Sequence, residues 1–328
     1  MTKIAHNKFI ISVKRFVMQQ PMVVLFIGFI IFISIYSPNF TRLGNINNVL
    51  IDVAIYGVPA LAMTIAIICG EFDLSLASNF AWAQIFFCYL LNLWGATPFG
   101  ILAAFLVMLL STTAIGCING LVVVKGKINS FIATLGMMTV IRGFALVFTN
   151  SNMISTSNAF ITSLGKARLF GISYLPFIFV FFIAIAFFLM RYTKFGRGIY
   201  ATGGNYATAK IAVIPVAFNK FIIFAILGFS AGIGGAMFVA LMRAGSVLYG
   251  TDLSLTCVAA TVIGGTPLTG GKGSVLKTAV GITLIFFIYK ALAFLGLQGY
   301  YNTMIRGLII LSVVFIDAFI TIRESARS

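Results

Sequence analysis

Four polar side chains stand inside or beside long apolar stretches: Asp73, Ser75, Asn119 and Arg142. An ionised group in an apolar medium costs about 3 kcal/mol or more, so it usually faces a cavity or a polar partner. These four residues are therefore candidates for lining a polar path through the protein. A structural role is the alternative. Asp73 can cap the helix that follows, and Arg142 can pair with an acid or extend its head group to the interface.

The other reactive residues do not form a metal centre. His6 is the single histidine and lies in the polar N-terminal segment. The cysteines are scattered through apolar runs without metal-ligand spacing, which is typical of small packing residues; they are Cys69, Cys88, Cys117 and Cys257. No bound metal is expected.

The glycine-rich stretch 264–274 invites comparison with a phosphate-binding loop. A Walker A motif needs Gly, four residues, and then Gly-Lys-Ser/Thr. Here Thr266 stands at the first glycine position and Gly273 follows Lys272, so the match fails. The stretch is expected to be a tight turn between two spans. The chain is predicted to be no enzyme and to bind no cofactor of its own.

Composition predicts what positions these residues. Of 328 residues, 61% are hydrophobic and 9% are charged, whereas a soluble domain has roughly 25% charged residues. A crossing helix needs about 20 apolar residues. Ten stretches approach that length, and the eighth is short enough to be a broken or partial crossing. The stretches are 21–37, 49–69, 74–94, 98–123, 129–150, 172–190, 218–241, 252–265, 275–295 and 302–321.

Charge sets the expected orientation. The net charge of +16 raises the possibility of nucleic acid, but the basic residues lie between the apolar runs, as lysines and arginines on the cytoplasmic side of a membrane do. With the N-terminus inside, 15 of the 22 Lys and Arg fall in inside segments and 4 fall outside, at Arg42, Lys166, Arg168 and Arg243. The pattern predicts an all-α polytopic membrane protein with about ten transmembrane helices and both termini in the cytoplasm.

Two short motifs recur. Asp73-Leu74-Ser75-Leu76 opens the third predicted span and Asp252-Leu253-Ser254-Leu255 opens the eighth, while Ile-Arg-Gly occurs at 141–143 and at 305–307. The pairing of third with eighth and fifth with tenth divides the chain into two five-helix halves. Because five is odd, the halves are expected to be inverted, as in many transporters.

The long basic segment Arg191–Lys220 is expected on the cytoplasmic side. Gly203-Gly204 predicts a turn, Asn205 an N-cap, and Ala207–Val213 a short helix that ends before Pro215. Such a helix either binds a partner protein or faces lipid head groups, and the residues alone leave both interpretations open.

This segment resembles the coupling segment of permease subunits from ATP-binding-cassette (ABC) importers of the ribose/xylose/galactose type. Three further stretches are similar to motifs of that family: 70–78 to its Gly-x-x-Asp-Leu-Ser-x-Gly-Ser signature, 262–274 to its Gly-Gly-Thr-x-x-x-Gly-Gly-x-Gly-Ser run, and 307–311 to the start of its last helix. The resemblance covers residues 20–320. Ala77 and Val213 stand where the family has glycine, and Ala207-Thr208-Ala209-Lys210 where it has Glu-Ala-Ala-Arg.

The resemblance implies a permease domain at 21–321 in a bacterial inner membrane, between a cytoplasmic N-terminal segment 1–20 and a tail 322–328. It implies ABC ATPase subunits that carry ATP and Mg, a substrate-binding protein, membrane lipid, and a second permease subunit, identical or paralogous. The implied substrate is a monosaccharide or a related small polar solute. The implied ATPase-coupling residues are Gly203, Gly204, Asn205, Tyr206, Ala207, Thr208, Ala209 and Lys210. The alternative is an ion-coupled secondary transporter, which tends to place acidic ligands at mid-membrane.

Overall fold

The structure, a computed structural model, describes residues 31–37 and 39–297 together with positions 28, 301, 304, 305, 307, 308, 311, 312 and 315. The predicted segments 1–20 and 322–328 lie outside the described residues. Most of the first and last predicted spans, 21–37 and 302–321, does so too, including Arg306 of the second Ile-Arg-Gly motif.

Helices dominate the described part of the chain. They are α1 (Leu43–Ile68), α2 (Leu76–Trp94), α3 (Pro98–Gly126), α4 (Ser130–Thr149), α5 (Ala159–Lys166), α6 (Leu175–Tyr192), α7 (Lys194–Gly204), α8 (Tyr206–Ile211), α9 (Val216–Met242), α10 (Leu253–Ile263) and α11 (Val275–Phe294). The strands β1 (Ile154–Ser155) and β4 (Ala244–Gly245) pair antiparallel, as do β2 (Arg168–Leu169) and β3 (Ile172–Ser173).

Seven of these helices are long and apolar enough to cross a membrane: α1, α2, α3, α4, α6, α9 and α11. Each falls on one of the predicted spans, so those seven predictions are confirmed as apolar helices.

The eighth predicted span, 252–265, contains α10, which has 11 residues. At 1.5 Å per residue α10 is about 16 Å long, roughly half the thickness of a bilayer core. It cannot cross alone, which agrees with the expected partial crossing.

The bundle has two distinct ends. At one end the Thr156 N–H bonds the Arg243 carbonyl beside the β1–β4 pair, and the Asn158 side chain bonds the Gly95 carbonyl after α2. At the other end α7 lies against the last turn of α1, and α8 follows α7 in the chain. We call these the hairpin end and the α7–α8 end. The central helix is α1, which is 89% buried over its apolar window, whereas the window of α4 is 17% buried.

Small residues set the close contact between α3 and α9. A Cβ added to Gly116 would lie 2.2 Å from the Phe224 carbonyl oxygen, and one added to Gly228 would lie 2.3 Å from the Thr112 carbonyl oxygen. The two backbones therefore touch where neither helix carries a side chain. Without a hydrophobic driving force between helices in lipid, such backbone approach is a main source of packing energy.

Candidate functional site

The two Asp-Leu-Ser-Leu motifs meet inside the bundle. Each precedes or opens a helix, α2 at Leu76 and α10 at Leu253. The Ser254 hydroxyl donates to the Leu74 carbonyl at 2.9 Å and accepts from the Ala77 N–H at 2.9 Å. We call this contact the α2–α10 junction. It joins the first turns of two helices that lead away from each other, α10 toward the α7–α8 end and α2 toward the hairpin end.

The chain reaches the junction from both ends in non-helical form. Residues 244–252 run along α2, where a Cβ on Gly245 would lie 2.5 Å from the Gln84 backbone and one on Gly250 would lie 2.6 Å from the Phe80 ring. Residues 69–75 approach from the α7–α8 end. Non-helical backbone at membrane depth is tolerated where protein buries it. Both segments meet that condition, since they bond or pack against neighbouring helices.

Three of the predicted path residues form one hydrogen-bonded group. Asp73 Oδ1 accepts from the Ser75 N–H at 2.8 Å and from the Ser75 hydroxyl at 2.6 Å, and the Asn119 side-chain amide donates to the Ser75 hydroxyl oxygen at 2.7 Å. All three side chains are buried, with exposed fractions of 2%, 0% and 1%. In this conformation they hold the start of α2 against α3 instead of facing an open channel.

Arg142 does not belong to this group. It lies two turns further along α4 than Thr134, whose hydroxyl accepts from the Leu74 N–H at 3.0 Å. The Arg142 side chain is half-buried and its Nε has no hydrogen-bond partner among the described residues. The structure thus separates Arg142 from the other three predicted residues.

Other buried polar groups near the junction went unnoticed in the sequence. Oxygen or nitrogen atoms lack a hydrogen-bond partner, within the described part of the chain, on Ser78, Asn79, Gln84 and Thr256. Leaving a buried polar atom unsatisfied costs about 1–3 kcal/mol. The sequence did indicate three of them, because Ser78, Asn79 and Gln84 fall within one stretch of seven residues inside the apolar helix α2.

The predicted coupling segment is almost entirely helical. The expected turn at Gly203-Gly204 is wrong, because both residues form the last turn of α7, and the break comes at Asn205. Packing explains the glycines. A Cβ on Gly203 would lie 1.8 Å from the Ile68 carbonyl oxygen, so only a bare backbone fits against the end of α1. Gly204 is open by comparison, with its nearest neighbour at 4.0 Å.

The short helix after the break is confirmed. The Asn205 side chain caps α8 by accepting from the Thr208 N–H at 3.0 Å. The helix lies on the surface, and Ala209 is its one buried residue. The other predicted coupling residues Tyr206, Ala207, Thr208 and Lys210 are exposed.

Val213 follows α8 in a conformation that suits glycine. Its φ is 56°, a left-handed value that a β-branched side chain rarely adopts. The Ile214 N–H returns to the Ala209 carbonyl at 3.1 Å and closes the helix end. Val213 is also 87% exposed, beside Ile211 at 83%, so an apolar pair projects from the α7–α8 end.

The glycine-rich stretch 264–274 is confirmed as a turn between two helices. Gly270, Gly271 and Gly273 all have positive φ, and the Gly271 N–H bonds the Ile68 carbonyl at 2.8 Å. On its other side the Tyr200 hydroxyl of α7 donates to the Gly273 carbonyl at 2.9 Å. Burial raises the pKa of the Tyr200 phenol above its ordinary value, opposed by the charge of Arg191, so the donor proton is retained.

A cavity of about 500 Å³ opens between α8 and the helices above it. Its wall contains an ion pair between the Glu71 carboxylate and the Lys220 ammonium, which sequence reasoning missed. The Lys220 ammonium also lies 5.3 Å from the centroid of the Tyr206 ring. The sequence did contain an indication of this pair. Glu71 comes just after the second predicted span and Lys220 at the start of the seventh, so both fall at the same predicted membrane face.

Comparison with known proteins identifies the family. The family described as branched-chain amino acid transport system / permease component matches residues 45–314. The chain belongs to this family of ABC-importer permeases. The permease is 32% identical over 315 residues to the ribose import permease protein RbsC of Escherichia coli (strain K12), covering 93% of this chain and 95% of that protein.

Two further relatives agree. The ribose import permease protein RbsC of Bacillus subtilis (strain 168) is 35% identical over 305 residues, covering 92% of this chain and 93% of that protein. The L-arabinose ABC transporter permease protein AraH of Azospirillum brasilense is 30% identical over 308 residues, covering 94% of this chain and 90% of that protein. No solved structure matches.

Family membership decides between the alternatives. The permease is a multi-pass membrane subunit of an ABC importer, not an ion-coupled secondary transporter, and ATP hydrolysis belongs to a separate subunit of such importers. Within the described residues no group of three or more His, Cys, Asp or Glu side chains is placed to hold a metal ion.

Proposed function

We propose that the permease imports a monosaccharide across a bacterial inner membrane, driven by ABC ATPase subunits that bind ATP and Mg. One observation carries this proposal: relatives named for ribose and L-arabinose align with more than nine-tenths of the chain. The alignment includes the α2–α10 junction, α7 and α8. The substrate would arrive from a binding protein docked at the hairpin end.

The proposed topology has ten spans in two inverted halves, with both termini and the α7–α8 end in the cytoplasm. Seven apolar helices support it, and so does α10 as a half-crossing completed by residues 244–252. The positive-inside rule supports the orientation, because Lys125, Lys194, Arg197 and Lys210 lie at the α7–α8 end. The opposed directions of α2 and α10 are what an inverted repeat requires.

The proposed docking site for the ATPase is the exposed face of α7–α8, from Gly203 to Lys210. Its cap at Asn205 and the apolar pair Ile211 and Val213 support this assignment, since an exposed short helix with apolar residues is typical of a protein-binding surface. A second permease subunit, identical or paralogous, would cover the poorly buried faces of α3 and α4.

The proposed solute route passes the α2–α10 junction. Asp73, Ser75 and Asn119 would hold the junction in place. The Ser78 hydroxyl, the Asn79 amide oxygen and the Gln84 amide, which lack partners within the described residues, would meet the hydroxyl groups of the sugar as helices part. Arg142 would take part from α4. Such groups favour a polar neutral solute, which can replace water in their hydrogen bonds.

Reconstitution tests the proposal. The tagged permease, co-expressed with the ABC ATPase and binding protein of its own operon, should co-purify with the ATPase and import radiolabelled D-ribose or L-arabinose into proteoliposomes when ATP is supplied. The double variant Asn205→Ala/Ala209→Asp should insert in the membrane but lose uptake. Co-purification without uptake of either pentose would overturn these pentoses as substrates. Absence of any ATPase partner would contradict the coupling assignment.

A further inference from the structure

The Glu71–Lys220 ion pair lies where two moving parts of an importer would meet. It joins the segment 69–75 to the second turn of α9. The Glu71 side chain is almost fully enclosed, with 6% exposed, and that of Lys220 is 23% exposed. A carboxylate so enclosed is held firmly, because separation from its partner leaves a buried charge unpaired.

Lys220 faces the coupling helix as well. Its ammonium group lies over the ring of Tyr206, the first residue of α8, at a distance typical of a cation–π contact. The cavity of about 500 Å³ is lined by Tyr206 on one side and by Glu71 and Lys220 on the other. The cavity therefore leaves room for α8 to move, and the Lys220 side chain contacts both α8 and the segment 69–75.

A short segment connects this pair to the α2–α10 junction. Glu71 precedes Asp73 by two residues, and its own N–H bonds the Ala66 carbonyl at 2.9 Å. The Phe72 N–H bonds the Ser130 hydroxyl at 3.2 Å, and the Leu74 carbonyl receives the Ser254 hydroxyl. Residues 71–74 thus form a short non-helical segment that connects the ion pair to the junction.

We infer that the Glu71–Lys220 pair transmits displacement of α8 to the α2–α10 junction, and so links nucleotide binding by the ATPase to the opening of the solute route. The inference rests on the proposed coupling role of α8. Glu71 and Lys220 act here as positioning residues, which touch neither solute nor nucleotide. The coupling travels through contacts that exist in this conformation: Tyr206 to Lys220, Lys220 to Glu71, and Glu71 through Leu74 to Ser254.

Cys69 provides a built-in reporter of this movement. Its side chain is buried, with 3% exposed, at the start of the same segment and within the electrostatic influence of both Glu71 and Lys220. In a variant whose other cysteines are replaced by serine, Cys69 is the one permease thiol that N-ethylmaleimide can alkylate, and its labelling is read from the separated permease band. The alkylation rate then measures how far the segment opens.

The experiment uses the complete permease–ATPase complex in proteoliposomes, and compares alkylation of Cys69 without nucleotide and with MgATP plus vanadate. We expect the two rates to differ by about 5-fold or more in the parent protein. The difference should fall below about 2-fold in Glu71→Gln and in Lys220→Gln, and should return in the charge swap Glu71→Lys/Lys220→Glu. A purely structural role would raise both rates and preserve their ratio.

Two further variants keep the result interpretable. The double variant Glu71→Gln/Lys220→Gln leaves no charge unpaired, so it carries the test if the single variants do not fold. Lys125→Gln removes an exposed lysine at the end of α3 and should keep the parent ratio. Equal rates in the parent complex, or an undiminished ratio in the double variant, would overturn the inference and leave the permease assignment intact. Failure of the parent permease to bind its ATPase would instead overturn the proposed coupling role and the inference with it.

Discussion

The Ser254 hydroxyl donates a hydrogen bond of 2.9 Å to the carbonyl oxygen of Leu74, 180 positions away in the chain. The same hydroxyl accepts from the Ala77 N–H, so one serine satisfies backbone groups at the first turn of a helix it does not belong to. Helix N-termini leave N–H groups without partners, and in an apolar bundle another protein group must supply them. The α2–α10 junction is thereby both a packing contact and a cap.

Replacement of this serine tests the junction. Ser254→Ala should lower the stability of the purified permease by about 1–3 kcal/mol, because the Leu74 carbonyl and the Ala77 N–H are left unsatisfied. Thermal denaturation in detergent, followed by the fluorescence of the two tryptophans, measures the change. Ser163→Ala is the matched control, since the Ser163 hydroxyl is exposed and bonds the Phe160 carbonyl of its own helix. Equal denaturation temperatures for the two variants would refute the capping role.

The contact between α7 and α1 predicts opposite outcomes for neighbouring glycines. Gly203→Ala places a methyl group 1.8 Å from the Ile68 carbonyl oxygen, and the helices must separate to admit it. Overpacking of this kind costs typically about 1–3 kcal/mol. Gly204→Ala meets nothing closer than 4.0 Å and should denature at or above the parent temperature. If the two alanine variants are equally stable, the close approach of α7 to α1 is not required.

Strain at the end of α8 predicts a stabilising substitution. A left-handed conformation costs a residue with a side chain about 1–2 kcal/mol, which glycine avoids. Val213→Gly should therefore raise the free energy of unfolding by roughly 1 kcal/mol. The gain is reduced by the greater conformational entropy that glycine gives the unfolded chain. Ile211→Gly removes an equally exposed side chain from within the helix and should lower stability by about 1 kcal/mol. The comparison of their denaturation temperatures separates backbone strain from loss of apolar surface, and a lower temperature for Val213→Gly would argue against strain.

Tyr200 predicts a dependence on alkaline pH. Because burial raises the pKa of its phenol in the folded state, the folded protein holds this proton more tightly than the unfolded chain does. That contribution is complete below the unfolded pKa of about 10, and it is lost as pH rises through the folded value. Tyr200→Phe should thus be less stable at neutral pH, through loss of the bond to Gly273, and should lose less stability between pH 9 and about 11. Parallel pH profiles for the two proteins would contradict the assignment.

The predicted and observed structures agree where one property decides the outcome. A run of about 20 apolar residues predicts a span whatever its neighbours are, and seven helices lie where such runs are found. Asn205 caps a helix because capping depends only on the four residues 205–208. The predicted turn at Gly203 was wrong because glycine usually marks a turn. Here the close approach of α1 requires a glycine within a helix.

The pairing of distant residues was harder to anticipate. The Glu71–Lys220 pair joins positions in different spans, and a hydropathy pattern contains no record of which spans are neighbours. Asp73, Ser75 and Asn119 were predicted to line the path because they are polar groups in apolar surroundings, and that role stays a prediction. Their mutual hydrogen bonds depend on how α2 packs against α3, and the residue types alone do not determine that packing.

The bare contact of Gly203 with the end of α1 has a mechanical consequence. Where helices interlock through side-chain ridges, relative rotation forces many rotamers to change together. At Gly203 no side chain stands between the two backbones, and a Cβ there would meet both the Ile68 carbonyl oxygen and the Gly271 nitrogen. Tilting α7 about this contact would therefore require no side-chain rotamer to change at Gly203. If α8 is the docking site proposed above for the ATPase, displacement of α8 would tilt α7 about Gly203.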